Sequence, residues 1–245
     1  MAALIGYARP AASALRELGL VAFAVPASPL PGVLAACTTL GCAGALVADA
    51  QMAEAYRLVQ PDGLARKQGL VDAISFGAVS YGTHTFEDGL LKVVGASGYA
   101  ARGGRALMLG VGEALTAAVS LARLGMVEVT VAGPSASEAE HVLPLLPAGT
   151  RGHAVNVHDP ALAGLAERAD LVVLASGELP NGVLQPYHAL IDLTGAGEGH
   201  ARAAQATLIA VDALPGERLA LALEHATGQR FRPEALGEVA AQVVG

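Results

Sequence analysis

Lysine is almost missing from this chain. Lys67 and Lys92 are the only two among 245 residues. Any mechanism that needs an ammonium group for proton transfer must use one of them. Charge of either sign is scarce, at 15% of residues, and the balance is acidic, with a formal net charge of −7. A nucleic-acid-binding surface needs a basic face, and no basic run here is longer than two residues, so that class is excluded. Cysteine is scarce as well. Cys37 and Cys42 have four residues between them and no nearby histidine or cysteine to complete a metal set, so two buried thiols and no metal site are expected. The seven histidines are scattered, and His153 and His158 fit neither zinc-finger nor metalloprotease spacing.

Long apolar runs are absent too. The stretch from Leu18 to Ala50 is very apolar, but Pro26, Pro29 and Pro31 interrupt it before about 18 uninterrupted apolar residues accumulate. No cationic segment followed by an apolar stretch and a small-residue cleavage site opens the chain. The expectation is a soluble cytoplasmic protein with no membrane partner. What is plentiful is core material: 53% of residues are hydrophobic, and the mean hydropathy is +0.48.

Short β-like runs alternate with helix-like runs from end to end, which predicts βα units and a mainly parallel sheet. In the first half, strands are expected at 2–6, 21–25, 44–47, 73–76 and 79–81. Helices are expected at 11–18, 30–40, 51–58, 61–68 and 86–94. In the second half, strands are expected at 106–109, 128–131, 153–157, 170–175, 189–193 and 207–211. Helices there are expected at 114–124, 138–146, 160–166, 214–226 and 233–243. The fold class is therefore α/β: a small N-terminal α/β domain over residues 1–100, a Rossmann-type parallel-sheet domain over 101–211, and C-terminal helices over 212–245 that could return to the first domain.

The strand expected at 106–109 runs into Gly110-Val111-Gly112-Glu113-Ala114-Leu115. Two glycines of the G-x-G-x-x-G turn are present, in the right strand-to-helix context. Leu115 replaces the third, and Glu113 brings a carboxylate to the helix start where a pyrophosphate would lie. The next strand ends in Ala132-Gly133-Pro134-Ser135. It offers neither the acidic residue that reads an NAD ribose nor the arginine that takes an NADP phosphate.

The layout resembles the shikimate dehydrogenase family over most of its length. Leu4-Ile5-Gly6 looks like the opening strand. Gly44-Ala45-Leu46-Val47 looks like the strand before the V-T-I-P-x-K loop, Gly69-Leu70-Val71-Asp72-Ala73 like G-A-V-N-T, and Tyr81-Gly82-Thr83-His84-Thr85 like Y-N-T-D-G. The glycine turn, Asp212-Ala213-Leu214 for D-G-L, and Thr227-Gly228 follow in order. The resemblance implies NADP as cofactor at Gly110, Val111, Gly112, Glu113, Ala114, Ala132, Gly133 and Ser135, a small-molecule ligand in an interdomain cleft, and a setting in aromatic amino acid biosynthesis. It also implies what is gone. Met52 stands at the catalytic lysine, His84 at the aspartate, Asp72 and Gly82 at the two asparagines, and the segment with two serines is missing where Gly6 runs almost directly into Pro10. Ala132, Gly133 and Pro134 align with the motif for the NADP phosphate, and Arg218 aligns near the glutamine that touches substrate. Thr83 alone is unchanged. A thioether exchanges no proton at neutral pH, so Met52 cannot act as acid or base. Lys67 and Lys92 are expected to be solvated. Shikimate oxidation is therefore not expected. Two readings stay open: an oxidoreductase on another hydroxy compound, with Asp72 orienting His84, or a non-catalytic protein binding a small ligand or a partner on the same scaffold.

Overall fold

A computed structural model describes residues 1–243, apart from the side chains at 241 and 242. It divides into two compact units, one made of Met1–Gly89 with the segment from Ala213 onward, the other of Leu90–Asp212.

The first unit holds a six-stranded sheet of β1 (Ala2–Ile5), β2 (Ala22–Val25), β3 (Gly44–Val47), β4 (Gln60–Pro61), β5 (Ala73–Ser75) and β6 (Tyr81–Thr83), in the order β2-β1-β3-β5-β6-β4. Strands β2, β1 and β3 are parallel, whereas β5 runs antiparallel to both β3 and β6. Every residue of β1 is fully buried, as expected of a central strand covered on both faces. Alternate side chains divide between two cores. Ala2, Leu4, Leu46 and Ala73 face a cluster with Leu15 of α1 (Arg9–Glu17) and with Leu219 and Leu223 of the long helix Leu214–Thr227. Ala3, Ile5, Ala45, Val47 and Ile74 face the other cluster. It contains Leu30, Leu34 and Cys37 of α2 (Leu30–Thr39), Met52 and Ala55 of α3 (Asp49–Leu58), and Ala65 of α4 (Gly63–Gln68). Cys37 and Cys42 are free, buried thiols.

The helix α5 (Phe86–Ala96) leads on to the second unit. Its sheet comprises β7 (Arg105–Leu109), β8 (Glu128–Gly133), β9 (Arg151–Asn156), β10 (Leu171–Leu174), β11 (Ala189–Asp192) and β12 (Thr207–Leu208), in the order β12-β11-β10-β7-β8-β9, with every neighbouring pair parallel. That is the doubly wound order, with its switch point between β7 and β10. The helices are α6 (Gly112–Val119), α7 (Ala136–Glu140), α8 (Leu162–Ala166) and α9 (Gly197–Ala204). The chain closes with α10 (Leu214–Thr227) and α11 (Gly237–Val243), both in the first unit.

Several expected elements differ. The helix expected over 114–124 stops at Val119 and tightens into a 3-10 segment over Ser120–Leu124. The one expected over 138–146 ends at Glu140, and Pro144 lies in a separate 3-10 turn over Leu143–Leu145, because a proline lacks the N–H that a helix interior needs. The strand expected at 79–81 lies at Tyr81–Thr83. Helix α9 and the two-residue β4 were not expected. Gly197 and Gly199 weaken any helical pattern in the first, and the second is too short to show one.

Candidate functional site

In the first unit, β3, the turn before β5, α3 and α10 bring polar side chains together at one small pocket. Tyr7, Asp49, Met52, Asp72, Thr85 and Arg218 line it, with Leu46, Leu219, Ala222 and Val243, around a cavity of about 20 Å³. That is room for a single water-sized group. Asp72 immediately precedes β5 and is only 6% exposed. Its Oδ2 accepts hydrogen bonds from the Thr85 backbone N–H at 2.9 Å and the Thr85 hydroxyl at 2.6 Å. The same oxygen lies 3.7 Å from an Arg218 terminal nitrogen. Its Oδ1 is buried and accepts no hydrogen bond. The Arg218 guanidinium also lies over the Phe86 ring, 4.5 Å from the centroid. The Tyr7 hydroxyl donates to the Val47 carbonyl at 3.1 Å. Burial first, then the Asp72 and Asp49 carboxylates, push the Tyr7 pKa far above its usual value, with Arg218 pulling weakly the other way. Tyr7 is therefore a fixed, protonated donor and not a base.

Of the residues expected at the substrate cleft, Met52, Asp72 and Arg218 meet here. Thr83 does not. Its carbonyl holds the Asp72 N–H, and it lines a different cavity of about 240 Å³ with Asp62, Thr85, Asp88, Glu224 and His225. His84 is fully buried and lines neither cavity. The hydrogen bond from His84 to Asp72 expected from the sequence is not made, and the donors to that carboxylate are on Thr85. Lys67 also departs from expectation. Its ammonium pairs at 3.0 Å with the carboxylate of Glu87, which is only 2% exposed. Lys92 is exposed. Tyr7, Asp49 and Thr85 were not foreseen. The only sign of Tyr7 in the sequence was its place beside Gly6, at the point where the serine segment is missing.

In the second unit, a cavity of about 670 Å³ opens beyond the carboxyl ends of the strands. Among its lining residues are Gly110, Val111, Ala132, Gly133, His158 and Ser176. Gly110 has φ +131°, and a Cβ there would lie 2.6 Å from both the backbone nitrogen and the hydroxyl oxygen of Ser176, so only glycine fits. The Ser176 hydroxyl oxygen accepts the Val111 N–H at 2.9 Å. One of the turn's anion-binding donors is thus already taken by the protein. Gly112, Glu113, Ala114 and Ser135 are not among the lining residues. The Ser135 hydroxyl caps α7: it accepts the Glu138 N–H and donates to the Glu138 carboxylate. Leu115, at the third glycine's position, is 2% exposed and belongs to the core. Ser176 and the Gly177–Asn181 loop were missed because sequence reading ended that strand at Ala175.

Among the described residues no cluster of three or more histidine, cysteine or acidic side chains could hold a metal ion, and no helix is long and apolar enough to cross a membrane. No protein-family model matches the sequence, and no curated protein is similar to it in sequence. Solved structures do match. Shikimate 5-dehydrogenase from Listeria monocytogenes, solved with shikimate and NAD, superposes with a TM-score of 0.79 over 98% of this chain and 95% of its own, at 16% identity. The chain has the fold of the shikimate dehydrogenases. That fold extends across differing activities. Quinate dehydrogenase from Corynebacterium glutamicum, in complex with NAD, gives a TM-score of 0.78 at 18% identity over 97% of both chains. The 5-ketofructose reductase of Gluconobacter sp. strain CHM43 gives 0.76 at 17% identity, over 99% of this chain and 97% of its own. The fold therefore leaves the reaction to be argued from the pockets.

Proposed function

We propose that this protein has the shikimate dehydrogenase fold without shikimate dehydrogenase activity, and that it acts as a small-ligand-binding relative. One observation carries the reading. Met52, at the position the resemblance gives to the proton-transfer lysine, is a 3%-exposed core residue lining the Asp72 pocket, and no lysine is among the described residues that line it. A hydride leaves a secondary alcohol only as the hydroxyl proton is taken up, so without the lysine the transition state loses the contribution of the acid–base pair. Asp72 has only Oδ1 to offer, with no lysine or hydrogen-bonded imidazole among the described residues beside it to pass the proton on. Thr85 and Arg218 occupy its other oxygen.

Similar structures carry NAD, and one, a shikimate dehydrogenase, was solved with NADP+. The second unit's cavity is large enough to favour a nucleotide there. We expect weak binding with no preference for NADP. Ser176 already holds the Val111 N–H, and no cation among the lining residues could take a 2′-phosphate.

Two measurements test this. With shikimate and NADP+ or NAD+, absorbance at the nicotinamide band should show no turnover above the blank, and Met52→Lys should not restore it. Turnover at an ordinary enzyme rate of about 1 s⁻¹ or more overturns the reading. Titration with NADPH and NADH should give similar, millimolar midpoints, whereas micromolar binding selective for NADPH would contradict the account of the 2′-phosphate position.

A further inference from the structure

The donors and acceptors around the Asp72 pocket are unequally spent. The Thr85 N–H and hydroxyl hydrogen both go to Asp72 Oδ2. The Tyr7 hydroxyl hydrogen goes to the Val47 carbonyl. Acceptor capacity remains at Asp72 Oδ1, which is buried and accepts nothing, and at the lone pairs of the Tyr7 and Thr85 hydroxyl oxygens, while the donors on the pocket wall belong to the Arg218 guanidinium. The exposed Asp49 carboxylate adds to these at the pocket's edge. Two carboxylates face one guanidinium there, and that guanidinium is engaged by Asp72 and stacked on Phe86. A carboxylate ligand would meet two carboxylates, Asp72 and Asp49, against the single Arg218 guanidinium, whose charge already lies beside Asp72. A compact cation with several N–H donors meets acceptors on Asp72, Tyr7 and Thr85, with two carboxylates to outweigh the guanidinium, in a space sized for one such group.

We propose that this pocket binds a primary ammonium group, with Asp72 Oδ1 as its principal acceptor, the Tyr7 hydroxyl oxygen as a second, and Asp49 as the outer charge. The ligand class is thus a small amine or amino compound in place of a hydroxy acid. The inference rests on the reading that shikimate is no longer the ligand.

The test uses the intact protein and methylammonium chloride. The Thr85 backbone amide, bonded to the same carboxylate, reports the site in a two-dimensional nitrogen–proton spectrum. Methylammonium should move that resonance saturably, with a millimolar midpoint, while sodium chloride at equal ionic strength and sodium acetate should not. Asp72→Asn should weaken the effect by about tenfold or more, the loss expected of one hydrogen bond to a charged group. Tyr7→Phe, which removes only a hydroxyl, should weaken it severalfold and serves alone if the Asp72 variant does not fold. An equal response to sodium chloride, or unchanged binding in Tyr7→Phe and Asp72→Asn, overturns the proposal. Shikimate is included as a separate probe. Its saturation of the Thr85 shift would sink the proposed function along with this inference, whereas silence from both probes removes the ammonium site alone.

Discussion

Gly82 accounts for one of the losses at the level of a single residue. A Cβ there would sit 2.7 Å from a Val59 methyl and 2.8 and 2.9 Å from the two Val71 methyls. The space that an asparagine would need is filled by valines. Gly82→Asn should therefore destabilise the first unit by about 1–3 kcal/mol through overpacking, read as a lower midpoint in urea with unchanged slope. A neutral result would mean that the two valines can swing aside. Residue identity made part of this site legible in advance. Met52, Asp72 and Arg218 could be assigned to one pocket from the order of short motifs, and they meet there. The Asp72–His84 pair failed for a geometric reason. Successive residues on an extended chain point to opposite faces, so only one of His84 and Thr85 is set to hydrogen-bond to Asp72, and spacing alone does not say which one does. Tyr7 was invisible because its hydroxyl acquires meaning only when the end of β1 is set beside Val47 of β3.

Elements follow the same division between local and distant causes. Apolar runs such as 44–47, 106–109 and 171–174 declared themselves as strands, because a strand buried on both faces has no polar alternation to preserve. The connection between β10 and β11 did not, since it is organised by one side chain. His188 is fully buried. Its Nδ1 accepts the Gln185 N–H at 3.0 Å, so it carries no proton, and Nε2 donates to the Ala166 carbonyl at 2.9 Å at the end of α8. Burial lowers its pKa, against the backbone carbonyls of Ala166 and Ala169 and the charge of Asp170, which raise it. The unfolded chain, with an ordinary histidine pKa near about 6.5, then binds the proton that the folded one refuses. Stability from His188 is thus present above about pH 6.5 and lost as pH falls from there through the lower folded value, with a slope of at most about 1.4 kcal/mol per pH unit. The chain has no tryptophan, so urea unfolding followed by far-ultraviolet circular dichroism between pH 5 and 8 is the measurement. His188→Gln should flatten the wild-type slope, and an unaltered slope would show that this imidazole does not refuse the proton.

At the scale of the molecule, the first unit is discontinuous in sequence, and this has a consequence for both folding and function. Helix α10 lies against β3 and β5, and α11 lies against α10 and α1. Leu219, Leu223, Ala226, Leu236 and Ala240 from this returning segment share a core with Leu4, Leu15, Leu46 and Ala73. Nothing in the apolar spacing of 214–227 says which sheet it covers, because an amphipathic helix fits any apolar face until the chain has closed on one. Removing residues 213–245 would uncover much of one face of the first sheet and leave only α1 on it. Three buried leucines and several smaller side chains, at about 1.5–3 kcal/mol for each large one, amount to a loss of order 10 kcal/mol. Domains are typically stable by about 5–15 kcal/mol. The second unit's own core, including Leu107, Leu109, Val172, Leu174 and Leu190, contains no residue from the deleted segment. The truncated chain should therefore show selective collapse in hydrogen exchange. Amides of 2–5 and 44–47 should exchange at unfolded rates while those of 105–109 and 171–174 stay protected. The Thr85 amide should lose its response to methylammonium in the same chain, since Arg218, Leu219 and Ala222 leave with the segment. Retained protection in β1 and β3 would show that α2 and α3 suffice to hold the first sheet. The returning helices would then serve to place Arg218 beside Asp72 and would not be needed for the fold.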